Sequence, residues 1–203
     1  YIALHKPRGV ISSLEDELEE GRTTVRDLIP IAAETHIYPV GRLDKPSEGL
    51  VLMTNDGALA HRLTHPRYGH EKVYDVTVEG RMADRVLEQW RRGVILDDRI
   101  TAPAPIEVIE RGTEQTRLRI ILREGRKRQI RRVAAALGHP VRRLIRERIG
   151  PLNLGELQPG GWGHLTKAEV RALQHSAAAP AFRDAAPSRR PARKEHRAPR
   201  TSA

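Results

Sequence analysis

Arg117-Leu118-Arg119-Ile120-Ile121-Leu122-Arg123-Glu124-Gly125-Arg126-Lys127-Arg128-Gln129-Ile130-Arg131-Arg132-Val133-Ala134-Ala135-Ala136-Leu137-Gly138 changes its hydrophobic period half-way along. Up to Leu122 the apolar residues Leu118, Ile120 and Leu122 alternate with Arg117, Arg119 and Arg123, as in a strand with one buried face. From Ile130 the spacing becomes i, i+3, i+4, i+7 through Val133, Ala134 and Leu137, the stripe of an amphipathic helix. The spacing predicts a helix over Arg126–Leu137, closed by Gly138. Gly125 is the turn between strand and helix. A basic strand, Val141–Ile149, returns at once.

Upstream the pattern is similar. Tyr1–Leu4 is a short apolar strand stopped by the turn Lys6-Pro7-Arg8-Gly9. Leu14–Gly21 reads as an acidic loop. Ile37–Val40 and Leu50–Thr54 read as strands, and Asn55-Asp56-Gly57 as a turn leading into a helix, Ala58–Thr64. Val73–Gly80 alternates, with Tyr74, Val76 and Val78 on one face. Ala83–Arg92 is a helix and Ile106–Glu110 a strand. Gly160-Gly161-Trp162-Gly163 reads as a turn. Thr166-Lys167-Ala168-Glu169 is a capping box that opens a short last helix. Several strands follow one another too closely for a helical crossover, which favours antiparallel pairing. The expected fold is α+β, a mixed and mostly antiparallel sheet flanked by helices, over residues 1–175. Residues 176–203, rich in Ala, Pro and Arg, are expected to be a disordered basic tail.

The net charge is +10, with 36 Lys+Arg against 26 Asp+Glu. It is unevenly placed. Residues 123–148 hold ten Arg/Lys against Glu124 and Glu147, and the tail adds a further surplus of five. The remaining body is slightly acidic. Such concentration points to a polyanionic partner. The absence of Cys excludes disulfides, thiolate zinc sites and Cys nucleophiles. The longest apolar runs, such as Leu50–Met53, are too short to span a bilayer. The chain starts at Tyr1 within strand-like sequence and reads as a fragment that has lost an upstream segment.

Three segments could carry chemistry. In Gly41-Arg42-Leu43-Asp44-Lys45-Pro46-Ser47-Glu48-Gly49, an Asp sits in a glycine-bracketed loop between two strands, flanked by Arg42 and Lys45. Nearby cations favour the ionised carboxyl. Such an Asp could be a nucleophile or an electrostatic stabiliser, or simply an Asx-type turn. The run Arg126–Arg132 puts Lys127, Arg128, Arg131 and Arg132 at a helix start, where cations oppose the dipole. That opposition makes sense if phosphates dock there, and Arg142, Arg143, Arg146 and Arg148 follow. Tyr74 by itself reads as core packing. His61 and His65 have a helical zinc-pair spacing, but no Glu stands beside His61 as in zincins, and a metal site is not expected.

Taken together and in order, these pieces resemble the bacterial ribosomal RNA pseudouridine synthases of the small-subunit/large-subunit group. The matching residues are Lys6-Pro7-Arg8-Gly9, Gly41-Arg42-Leu43-Asp44, Glu48 through Gly57, Lys72-Val73-Tyr74, Glu124 through Arg132, Arg143-Leu144-Ile145-Arg146, Ile149-Gly150-Pro151 and Leu165-Thr166. The resemblance covers almost all of residues 1–175. It implies isomerisation of a uridine in ribosomal RNA to pseudouridine, with the large subunit favoured. It implies Asp44 as the catalytic aspartate, Tyr74 as the tyrosine that packs on the target base and helps remove its proton, and Arg126 as the cation paired with the aspartate. Arg42, Lys127, Arg128, Gln129, Arg131, Arg132, Arg143 and Arg146 are then expected to contact RNA. No metal and no small-molecule cofactor are implied. The expected setting is a cytoplasmic monomer acting on ribosomal RNA, free or in a pre-ribosomal particle, with no membrane partner.

Two departures stand out. Pro46-Ser47 stands where many relatives have Asp or Asn followed by Thr or Ser, and proline stiffens the loop and removes an N–H. The small N-terminal RNA-binding module of many relatives is absent or truncated. The alternative reading is a non-catalytic RNA-binding protein of ribosome assembly on the same fold.

Overall fold

A computed structural model describes residues 1–16 and 20–178. The elements are β1 (Ile2–Lys6), α1 (Ala32–Thr35), β2 (Tyr38–Pro39), β3 (Glu48–Thr54), α2 (Gly57–Thr64), β4 (Lys72–Glu79), α3 (Asp84–Arg92), β5 (Ile95–Leu96), β6 (Arg99–Ile100), β7 (Ile106–Arg111), β8 (Gln115–Leu122), α4 (Gln129–Ala136), β9 (Val141–Ile149), β10 (Leu152–Asn153), β11 (Trp162–His164) and α5 (Lys167–Ala178). The main sheet runs β11-β1-β3-β9-β4-β8-β7, with β2 on β3 and β10 on β9, while β5 and β6 make a separate hairpin. Among the described strands, every pair is antiparallel except β3 with β9. The class is therefore α+β, as the short connections require.

That one parallel pair is the seam of the molecule. All seven residues of β3 are buried. Leu50 and Leu52 enter one cluster with Leu59 and Leu63 of α2, Ile149 of β9 and Leu173 of α5. Val51 and Met53 enter the other with Val76, Leu118, Trp90 of α3 and Val133 of α4. Helices thus cover both faces, and Leu50–Met53 of β3 reads as an unbroken apolar run because neither face meets water. Each such side chain contributes roughly 1.5–3 kcal/mol by leaving water.

Three differences from the expectations concern α4, β11 and α5. Helix α4 starts at Gln129, not Arg126, because Arg128 adopts a left-handed φ of 53°. A helical first turn there would stack Arg126, Lys127 and Arg128 on the positive end of the dipole. Trp162 opens a strand on the free edge of β1, where a turn was expected. The last helix is reciprocally capped by Thr166 and Glu169, as expected. It runs to Ala178, however, and Ala177 is buried, so residues 176–178 belong to the folded domain, not to the tail. The rest of the expected tail, 179–203, lies outside the described residues, as do residues 17–19 of the acidic loop. Among the described residues, no helix is long and apolar enough to cross a membrane.

Candidate active site

Asp44 sits on a short loop that is fixed from three sides. The Ser47 amide donates to the Asp44 carbonyl at 2.9 Å, closing a turn over Lys45-Pro46. Pro46 fits here because its missing N–H is not needed. The Gly9 amide donates to the Lys45 carbonyl at 2.8 Å, which is how the Lys6-Pro7-Arg8-Gly9 turn serves the loop. Ser12 bridges the Leu43 amide and carbonyl through its hydroxyl, at 3.0 Å each. On the far side, Arg131 reaches from α4 to the Pro46 carbonyl at 3.0 Å and the Ser47 hydroxyl at 3.1 Å.

Asp44 opens onto a cleft of about 770 Å³. Tyr74, Lys72 and Arg146 line the same cleft, as do Arg126, Lys127 and Arg128. Tyr74 lies on β4 between Ile120 of β8 and Arg146 of β9. Arg146 is only 2% exposed; its Nε donates to the Leu50 carbonyl at 2.8 Å, and its Nη2 has no hydrogen-bond partner among the described residues. Burial pushes its pKa below the usual guanidinium range, against the opposing pull of the Tyr74 phenol. It remains a cation, since arginine does not deprotonate in proteins. Lys72, two residues before Tyr74 on the same strand face, is brought down to about 8 by burial and by Arg146.

Lys6 is the other buried lysine, 0% exposed, with Nζ on the carbonyls of Val10 at 2.7 Å and Pro7 at 2.9 Å. Burial lowers it to about 8, although Glu48 and Asp44 pull the other way. Arg143 grips Glu48 at 3.0 Å and holds that carboxyl below the usual range.

The sequence-derived residues are not all where the pattern puts them. The cation facing Asp44 is Arg128, at 3.6 Å, not Arg126. Arg126 instead binds Glu124 at 3.3 Å and the carbonyls of Arg99 at 3.1 Å and Ile100 at 2.6 Å. The reason is local: with Arg128 in a left-handed conformation, the turn aims Arg126 away from the aspartate and toward the β5–β6 hairpin. Gln129 is buried and bonded to Glu124 and the Arg126 amide, so it braces the turn and does not reach outward. Arg146 is likewise internal. Arg132 is held by Asp97 through two bonds of 2.9 and 2.6 Å, and Arg143 by Glu48. Arg42 and Lys127 stand exposed on the rim. The sequence reading missed Lys6 and Lys72. The signal for Lys72 was its two-residue spacing from Tyr74, which puts both on one strand face. The His61 and His65 rings lie tilted against each other and edge-on to Tyr68, with centroids 5.2–6.3 Å apart.

Residues 1–136 match the sequence profile described as RNA pseudouridylate synthase. The chain belongs to that family. An uncharacterized RNA pseudouridine synthase of Aquifex aeolicus is 41% identical over 173 residues, spanning 85% of this chain and 69% of that one. Ribosomal large subunit pseudouridine synthase B of Bacillus subtilis is 39% identical over 176 residues, 86% of this chain and 71% of its own. A crystal structure of a pseudouridylate synthase superposes with a TM-score of 0.75 at 32% identity, covering 85% of this chain and 72% of that one. The family's matched region includes the Asp44 loop, Tyr74 and the Glu124–Arg132 turn, so the cleft lies inside it. The RNA pseudouridylate synthase fold is thus the frame on which these residues meet.

Proposed function

We propose that the chain is an isomerase that converts a uridine of large-subunit ribosomal RNA to pseudouridine, with Asp44 as its catalytic carboxylate. The observation that supports this most is that Asp44 and Tyr74 open onto one cleft whose rim and floor are cationic. The target must leave its stack to enter such a cleft. Asp44 displaces the uracil from C1′ or assists its departure, and the N1–C1′ bond breaks with its electron pair left on the uracil. The uracil turns against the flat face of Tyr74, C5 bonds to C1′ as any Asp44–C1′ bond breaks, the C5 proton leaves, and N1 takes up a proton. Arg128 faces the carboxylate at 3.6 Å and helps to aim it; Arg131 and Gly9 fix the loop that carries it. Lys72 and Arg146 set positive charge behind Tyr74, where electron density collects on the departing uracil.

The large-subunit assignment rests on relatives such as the Bacillus subtilis enzyme. Arg42 and Lys127 at the rim, with Arg128 beside them, supply phosphate contacts. The proposal takes the chain to act as a monomer, and ribosomal RNA as substrate places that action in the cytoplasm.

The test is pseudouridine mapping of rRNA from a deletion strain complemented with wild type or Asp44→Asn. Wild type should restore one or a few sites, and Asp44→Asn none, while purified Asp44→Asn still binds the RNA. Wild-type protein that leaves every uridine unchanged removes the proposal.

A further inference from the structure

Among the described residues, the two most exposed large apolar side chains face each other. Ile95 is 67% and Ile100 65% exposed, against 38% for Ile109, the next. They are directly opposed across the β5–β6 hairpin. Alternation puts Leu96 on the other face, where it is buried in the main core. Single exposed apolar residues need no explanation. A matched pair on a raised hairpin does, because polar residues there would leave the core intact.

The hairpin is rigid. At its base the Thr101 amide donates to the Val94 carbonyl at 3.0 Å, and the Val94 amide donates to the Thr101 hydroxyl at 3.0 Å. Gly93 packs so tightly there that a Cβ would lie 2.4 Å from the Thr101 carbonyl oxygen. At its tip Asp97 and Asp98 are both left-handed, at φ 52° and 58°, the geometry of a type I′ turn. Its side is bolted to the cleft rim. Arg126 donates to the Arg99 and Ile100 carbonyls, Arg132 holds Asp97, and the Ala102 amide donates to Glu124. Arg126 and Glu124 also line the Asp44 cleft. The Ile95–Ile100 pair is therefore held in fixed register beside the site.

We infer that Ile95 and Ile100 form a platform for an unpaired nucleobase of the substrate RNA next to the uridine that enters the cleft. This rests on the function proposed above. Drawing one base out of its stack strips its neighbours of a stacking partner, and an apolar platform replaces that contact. The surroundings tie the pair to the RNA cleft: Arg126, whose guanidinium lies against the Arg99 and Ile100 carbonyls, also lines the Asp44 cleft, and the exposed Lys127 follows it on the rim. Arg99, opposed to Leu96, lies on the other face of the hairpin, and at the tip Asp97 is neutralised by Arg132.

The experiment compares wild type with Ile95→Ser/Ile100→Ser and Ile95→Leu/Ile100→Leu. Both pairs are exposed, so thermal unfolding should be unchanged. Binding to transcribed large-subunit rRNA is read by fluorescence anisotropy, and turnover by tritium release from RNA made with 5-tritiated uridine. The serine pair should raise Kd and KM about tenfold with kcat at saturation kept, and the leucine pair should restore both. A serine pair with wild-type Kd and KM overturns the inference. So does sedimentation showing that the wild type dimerises through this pair while RNA affinity is unmoved by the change. If wild type releases no tritium at all, the isomerase reading fails on its own, and the anisotropy comparison still decides the platform.

Discussion

Gly49 and Arg146 meet backbone to backbone: a Cβ at residue 49 would lie 2.4 Å from the Arg146 carbonyl oxygen and 2.5 Å from its amide nitrogen. This contact is the parallel pairing of β3 with β9, and it sets the Asp44 loop next to the strand that carries Arg146 and flanks Tyr74. Gly49 also has φ of +111°, outside the range of other residues. Gly49→Ala should therefore destabilise the fold by roughly 3 kcal/mol through strain and strand separation. Gly125→Ala, where nothing lies within 4 Å of the added carbon, should change stability little. Urea unfolding of the two variants checks the contrast; equal midpoints would refute it.

Three arginines near the aspartate should separate by effect. Arg131 holds the loop through Pro46 and Ser47, so Arg131→Ala should loosen the carboxylate and lower kcat about 100-fold. Arg128 faces Asp44 at 3.6 Å but is half exposed, so Arg128→Ala should lower kcat only about three- to tenfold. Arg126 touches the hairpin and not the aspartate, so Arg126→Ala should raise KM with little change in kcat. Steady-state tritium release gives the order. If Arg126→Ala has the largest effect on kcat, the turn's observed geometry is not the working one.

The fold class was legible because its signals are local. Alternation in Val73–Gly80 and Arg117–Leu122 and the stripe from Ile130 to Leu137 each need only a short window. That Asp44 and Tyr74 share a cleft was legible through motif order. The partners of the arginines were not. Whether Arg126 or Arg128 meets Asp44 depends on one left-handed residue, and nothing in a run of cations marks which will adopt it. Arg146 reads as one more surface cation in Arg142–Arg148, yet alternation along β9 turns it inward under Tyr74. Its burial depends on Gly49, nearly a hundred residues upstream, letting the two backbones close. The hairpin over Ile95–Ile100 was invisible because two-residue strands carry no period.

The two buried lysines give a pH signature. Lys6 and Lys72 both fall from an ordinary value of about 10.5 to about 8 in the folded state, first because of burial. The unfolded chain then binds more protons between those values, so stability rises with pH there. The penalty is fully present below pH 8 and is relieved as pH climbs toward 10.5. Urea midpoints should increase from pH 8 to pH 10 in wild type. Lys72→Met should remove about half of that increase, since two groups share it. A wild-type midpoint that is flat or falls over this window contradicts the burial of these lysines.

Tyr74 is expected to act through both its ring and its hydroxyl, and one atom separates the two. Its ring packs in the main core between β8 and β9, so Tyr74→Phe keeps the flat face against the uracil. The change removes the polar neighbour of Arg146, whose Nη2 already lacks a partner, and should destabilise the fold by about 1 kcal/mol. If the hydroxyl helps to take the C5 proton, kcat should fall about 100-fold or more while RNA affinity is kept. Tyr74→Ala would lose packing as well and cannot distinguish the roles. Tritium release reports the C5–H step directly, and anisotropy reports binding. Tyr74→Phe with wild-type kcat would reduce Tyr74 to a stacking surface and leave proton removal to another group, of which Lys72, on the same strand face, is the nearest candidate along the chain.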